Sequence, residues 1–173
     1  MIEWKKIKEE PFRAGFRKLL KKTFQLPDGK IQDFDIKHEG PAVCVLALTK
    51  EKNVILVKQF RPGMEKVLLE MPGGAVDGGE EPLEAIKREL LEETGYTGDF
   101  QLAGTSYDCA YSTMFRYNFV ATNCLKVANQ NLDETEFAEV IEMSLADFRN
   151  HLQSGELTDV ESGYLGLDYL RLL

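Results

Sequence analysis

Two runs in the first third of the chain are apolar almost without a break: VCVLAL at 43–48 and NVILVKQF at 53–60. Both are rich in β-formers and predict strands covered on two faces. Glu51-Lys52-Asn53 supplies the turn between them. KVLLEM at 66–71 predicts a third strand. Upstream, FRKLLKKTFQLPDGKIQDFDIKH reads as two extended stretches around Pro27-Asp28-Gly29, a hairpin signal. The period then changes. Leu83, Ile86 and Leu90 recur at three and four, which predicts the apolar stripe of a helix. Pro82 suits its first position and Gly95 the residue just past its end. FQLAGTSY, FRYNFVAT and AEVIEMS predict further strands. SLADFRNHLQSG predicts a helix capped by Ser144 and stopped by Gly155, and LTDVESGYLGLDYLRLL a closing helix. Strands with a few helices between them predict an α/β sandwich.

Composition narrows the class. At 173 residues, without repeats or a linker, the chain suits a single domain, 1–173. No apolar run reaches the eighteen or so residues that span a bilayer, and MIEWKKIKEE lacks the apolar stretch of a signal peptide. A cytoplasmic protein with no membrane partner is the expectation. Cys44, Cys109 and Cys124 fit no metal pattern and read as free thiols of a reducing compartment. His38 and His151 alone supply a histidine site poorly. The net charge of −8 argues against nucleic acid as a partner. Residues 5–22 are the exception, with Lys5, Lys6, Lys8, Arg13, Arg17, Lys18, Lys21 and Lys22 against Glu9 and Glu10. They read as a solvated strand face or as an attractor for an anionic ligand.

The acids are concentrated too. Between Asp77 and Glu93 there are seven carboxylates against Lys87 and Arg88, directly after a glycine-rich turn. At about 100° per residue, Glu89, Glu92 and Glu93 share one sector of the helix, beside the apolar stripe, with Ala85 leaving room there. Three carboxylates at that spacing repel. A solvated acidic face is one reading. The other is a site for a hard divalent cation, Mg²⁺ or Mn²⁺.

The spacing around the helix adds a second kind of information. Gly74, Glu80, Arg88-Glu89-Leu90, Glu92-Glu93 and Gly95-Tyr96 match the box G-x5-E-x7-R-E-U-x-E-E-x-G-U, with Tyr96 a loose fit at a bulky aliphatic position. The chain thus resembles the Nudix hydrolases. The resemblance implies an α/β/α sandwich with a mixed sheet and an N-terminal antiparallel hairpin. It implies metal-dependent attack of water on the phosphorus of a nucleoside diphosphate derivative. Glu89, Glu92 and Glu93 would be metal ligands, with the backbone carbonyl near Gly73 completing the set. Arg88 would orient these carboxylates, and Glu80 would pair with Arg88 rather than bind metal.

LPDGK (26–30), VKQFRP (57–62) and LLEMPGGAVDGGE (68–80) are similar to the ADP-ribose pyrophosphatase group, which acts on nucleoside diphosphate sugars. That similarity implies Arg61 as a phosphate ligand, with Glu70 on the same floor. It also implies a homodimer in which strands within 1–40 reach the partner. Phe16 and Phe34 then either stack on the base or serve ordinary packing. In DETEFAEV (133–140), Glu136 is the best match to the group's loop glutamate, a general base or water ligand, with Glu134 second and also a candidate substrate contact; the base is left open between Glu136, Glu134 and a box glutamate such as Glu92. YDCAYSTMFRY (107–117) lacks the proline–glycine segment that ADP-ribose hydrolases often carry after the box, which leaves room for another ADP-sugar or GDP-mannose. Arg116 would face a terminal phosphate or sugar. Competing readings are a nucleotide-sugar sensor without turnover and a hydrolase of dinucleoside polyphosphates or nucleoside triphosphates.

Overall fold

The computed structural model describes residues 4–13, 17–132 and 137–173. Within it the chain divides into two compact units, one running to Pro41 and including Tyr107–Phe115, the other comprising Ala42–Ser106 and Arg116–Leu173.

The first unit is a three-stranded antiparallel sheet of β1 (Lys5–Arg13), β2 (Lys18–Gln25) and β3 (Ile31–His38), in that order. The turn at Pro27-Asp28-Gly29 is present. Gly29 adopts φ 86°, and its amide donates to the Leu26 carbonyl. β1 is additional to the predicted hairpin. Its run of lysines hides it from any hydrophobic period, and Pro11 interrupts it. Register explains its stability: Glu9 lies opposite Lys22 and Glu10 opposite Lys21. The basic stretch is thus partly neutralised across the ladder, with Glu9 3.4 Å from Lys22 and 2.9 Å from Lys6. Trp4, Phe24 and Phe34 form an aromatic cluster here, and Phe34 stacks on Tyr111 at 6.4 Å.

The second unit holds the core. Its mixed sheet contains β4 (Ala42–Thr49), β5 (Val54–Arg61), β6 (Lys66–Glu70), β7 (Gly73–Ala75), β8 (Tyr96–Tyr107), β9 (Phe115–Lys126) and β10 (Ala138–Met143). The order is β10-β5-β4-β9-β8, with β6 paired to β5 and β7 to β4. β4 and β9 run parallel, so both faces need cover, and seven of the eight residues of β4 are buried. On one face, Val43, Val45, Ala47 and Ile55 pack with Ala85, Ile86 and Leu90 of α1 (Pro82–Thr94). On the other, Leu46, Leu48, Val54 and Leu56 pack with Phe148 and Leu152 of α2 (Leu145–Ser154) and Leu167 of α3 (Val160–Tyr169). This is the expected α/β/α sandwich with a mixed sheet.

Ser144 caps α2 by accepting from the Asp147 amide, and Gly155 ends the helix in the left-handed region, as predicted. Two details of α1 differ from expectation. Leu83 is exposed and Ala85 is fully buried, so the stripe runs through Ala85, Ile86 and Leu90. β7 carries no β-forming residue and is invisible to pattern. It exists because Gly73 meets β4 so closely that a Cβ would stand 2.3 Å from the Val43 carbonyl oxygen. No helix among the described residues is long and apolar enough to cross a membrane.

Candidate active site

Helix α1 docks on β4 and β5 through Ile86 and Leu90, which sets where its acids point. Pro82 stands at its N-terminus, and Gly95 closes it at φ 76°, donating to the Leu91 carbonyl. That orientation turns Glu93 inward, where it is 9% exposed, and its Oε2 accepts from the Gly73 amide at 3.0 Å. Glu89 lies over the neighbouring glycine: a Cβ on Gly74 would fall 2.3 Å from Glu89 Oε1. Both glycines of the turn are therefore demanded by close approach, Gly73 by β4 and Gly74 by the Glu89 carboxylate.

Arg88 stands among the acids. Its Nε and Nη2 fork onto Glu80 at 3.2 and 3.1 Å. Its Nη1 donates to Glu89 Oε1 at 2.9 Å and to Glu92 Oε2 at 3.1 Å. Nη2 also reaches the Ala75 carbonyl at 3.3 Å. The fork holds the Glu80 carboxyl below its ordinary range, and these acids, Glu80 first, keep Arg88 more firmly protonated than usual. The pairing of Glu80 with Arg88 is as expected from its place before the helix. Glu84 takes Lys87 at 2.8 Å and stays on the solvated side.

Could these residues hold a metal? Among the described residues no three His, Cys, Asp or Glu side chains are gathered into a ready-made cluster. Arg88 engages Glu89 and Glu92, while the Gly73 amide engages Glu93. The donor chemistry nevertheless fits a hard divalent ion. It consists of carboxylate oxygens beside the Gly74 backbone, whose missing side chain lets the half-buried Glu89 carboxylate lie over it.

Arg61 and Glu70, the expected phosphate ligand and its neighbour, meet each other. They lie at the ends of the paired strands β5 and β6. Glu70 is 1% exposed, and its Oε2 accepts from Arg61 Nε at 2.5 Å. Its Oε1 accepts from the Thr158 hydroxyl and, at 3.4 Å, from the Thr158 amide. Arg116 is not placed as expected for a ligand contact. It is buried and ion-paired to Asp159 at 2.7 Å and Glu161 at 2.5 Å. Burial pushes the Asp159 carboxyl up, and Arg116 opposes that shift. Glu139 is a surface residue of β10 paired to Lys58.

Phe34 belongs to the aromatic cluster of the first unit. Phe16, Glu134 and Glu136 lie outside the described residues. Thr158 and Asp159 were not singled out by pattern, because a Thr-Asp pair before a helix signals only a cap. Nothing local in the sequence points from Thr158 to Glu70.

Comparison with known proteins gives the family. The NUDIX domain family matches residues 38–160. The chain is 37% identical over 169 residues to the ADP-ribose pyrophosphatase of Bacillus subtilis (strain 168), covering 95% of this chain and 90% of that one. It is 31% identical to the methanol dehydrogenase activator of Bacillus methanolicus, over 99% of this chain and 95% of the relative. A solved structure of an ADP compounds hydrolase superposes with a TM-score of 0.82 at 20% identity, covering 99% of this chain and 94% of that one, a likeness of fold.

Proposed function

Since the chain belongs to the NUDIX domain family and is a Nudix hydrolase, we propose that it cleaves the pyrophosphate bond of ADP-ribose or a similar nucleoside diphosphate sugar. The products are a nucleoside monophosphate and a sugar phosphate. The observation that carries the reaction is the packing of Glu89 and Glu93 of α1 against the Gly73-Gly74 turn, with Arg88 among the acids. The substrate class is supported by the Bacillus subtilis relative.

Glu89, Glu92, Glu93 and the Gly73 carbonyl would hold Mg²⁺, for which Mn²⁺ substitutes. When bound, the cation supplies positive charge to the pyrophosphate oxygens and makes water a better nucleophile. The remaining work falls to the protein. Arg88 fixes the direction of Glu80, Glu89 and Glu92, so that these three like charges stand close together without splaying. Arg61 binds a phosphate oxygen through its terminal nitrogens, because Glu70 takes the Nε edge. Glu136, matched by sequence, takes the proton of the attacking water, and Glu134 contacts substrate. The enzyme works as a homodimer in which Phe34 of β3, and Phe16 by its place in the sequence, serve base stacking. Exposed Trp4, Ile7 and Ile31 are consistent with an apolar face there that a second copy covers.

The test is a substrate panel with Mg²⁺: ADP-ribose, GDP-mannose, UDP-glucose, dinucleoside polyphosphates, NADH and nucleoside triphosphates. Preferred turnover of ADP-ribose to AMP and ribose 5-phosphate is expected. Preference for triphosphates, or binding of a nucleotide sugar without turnover, would reject the reading.

A further inference from the structure

The Thr158 hydroxyl sits where the substrate arginine is held from behind. Glu70 is one of the most deeply buried acids of the second unit, at 1% exposure. A buried carboxylate must have partners for both oxygens or destabilise the fold. One oxygen takes Arg61 Nε; the other takes the Thr158 hydroxyl and amide. Arg61 is 40% exposed at its side chain, and among the described residues its terminal nitrogens have no hydrogen-bond partner. Its orientation is therefore set through the Nε–Glu70 bond, and the orientation of Glu70 is set by Thr158.

Thr158 is itself held. The next residue, Asp159, adopts the left-handed region at φ 61°, a conformation that a non-glycine residue keeps only when its surroundings impose it. Its carboxylate is fixed by the buried Arg116 at 2.7 Å, and Arg116 is fixed in turn by Glu161. The Thr158 hydroxyl also lies 3.5 Å from Asp159 Oδ2. With a single proton to donate, it favours the shorter contact, to Glu70.

We infer that Thr158 is a positioning residue for substrate, acting on Arg61 through Glu70, with the Arg116–Asp159 pair as its anchor. The inference rests on the reading of Arg61 as a phosphate ligand. It assigns to the segment before α3, remote in sequence from the acidic helix, a share in substrate affinity. Thr158 touches neither substrate nor the reacting atoms, so its effect belongs in KM. Removing its hydroxyl leaves one Glu70 oxygen with only the 3.4 Å amide contact. Glu70 then has freedom to swing, and the Arg61 guanidinium with it.

The experiment is steady-state kinetics on the preferred member of the substrate panel for wild type, Thr158→Val, Thr158→Ser, Arg61→Ala and Arg61→Ala/Thr158→Val. Thr158→Val is near-isosteric and lacks the donor. It should raise KM about tenfold and change kcat by less than about twofold. Thr158→Ser keeps the donor and should restore KM to near the wild-type value. In the Arg61→Ala background, Thr158→Val should have no further effect on KM, since the side chain it positions is gone. An unchanged KM in Thr158→Val overturns the inference while leaving Arg61 as ligand. So does an equal effect with and without Arg61, or a fall in kcat that Thr158→Ser does not rescue. If Thr158→Val fails to fold, Thr158→Ala, which also lacks the hydroxyl, decides instead when compared in both Arg61 backgrounds: a rise in KM confined to the background that keeps Arg61 supports the inference, and an unchanged KM overturns it. If Arg61→Ala itself leaves KM unchanged, the phosphate-ligand reading fails and the inference falls with it.

Discussion

At the scale of single residues, the site is a problem of crowded charge solved by geometry. Glu89, Glu92 and Glu93 repel in any conformation, yet only the helix brings them to one side, where Arg88 can bridge two of them and fork onto Glu80. Periodicity made that convergence readable. It did not reveal that Glu93 points inward to the Gly73 amide, because an acid at an apolar-stripe edge has the same spacing whether it turns in or out. Two predictions belong here. Glu93→Gln keeps the shape and an oxygen for the Gly73 amide while removing the charge, so turnover should fall by orders of magnitude with the melting temperature little changed. Kinetics beside a thermal melt checks it, and equal activity would reject Glu93 as a metal ligand. Gly74→Ala places a methyl 2.3 Å from Glu89 Oε1 and must displace that carboxylate. A misplacement of about 1 Å costs about 10²-fold in rate, so kcat should drop by that order while the circular dichroism spectrum remains folded.

Elements carry the residues to these places, and their ends matter more than their middles. Gly95 both stops α1 and lets β8 begin at Tyr96, with its amide hydrogen of the left-handed turn bonded back to Leu91. A Cβ there would meet the Ala128 carbonyl oxygen at 2.1 Å in a backbone region that side chains avoid. Gly95→Ala should therefore destabilise by more than about 1 kcal/mol, read by urea denaturation. The next residue ties β8 to β10. The Tyr96 hydroxyl donates to Glu142 at 2.6 Å, and burial together with that bond pushes the phenol up to about 12. Burial likewise pushes the Cys124 thiol up to about 11. Both groups are neutral in the fold and ionise more readily in the unfolded chain, near pH 10 and roughly 8.5 respectively. Their stabilisation is fully present below those unfolded values and is lost as pH rises through about 11 for Cys124 and about 12 for Tyr96. Stability should fall across this alkaline window, and Tyr96→Phe should flatten the upper part of the fall. Chemical denaturation at stepped pH measures it; an identical profile in the variant would reject the assignment to Tyr96. Most elements were legible because β4 and the first half of β5 are continuously apolar, α1 opens on Pro82 and closes on Gly95, and α2 carries cap residues at both ends. β1 and β7 were not, since cross-strand charge pairing stabilises one and close glycine contact the other.

For the whole molecule, the proposed activity depends on something beyond the chain. Arg88 neutralises part of the acidic cluster but leaves a net negative charge facing an anionic substrate. EDTA should abolish hydrolysis of the preferred nucleotide sugar, and Mg²⁺ or Mn²⁺ should restore it; turnover undiminished in EDTA would reject the metal-dependent mechanism. The proposed homodimer predicts a solution mass about twice the 19.6 kDa of one chain by light scattering, and a monomeric mass would remove Phe16 and Phe34 as cross-subunit stackers. By itself the sequence determined the family, the sandwich and the identity of the acidic set. Fixed spacing along one helix is a local property, and seven specified residues at set offsets carry it. Only the tertiary structure decided which side chains are held from behind. It put Arg116 into a buried ion pair rather than at a ligand, brought Thr158 to Glu70 across 88 positions of chain, and made Gly73 and Gly74 necessary. Those outcomes depend on which strands lie side by side, and long-range pairing leaves no period in the sequence to read.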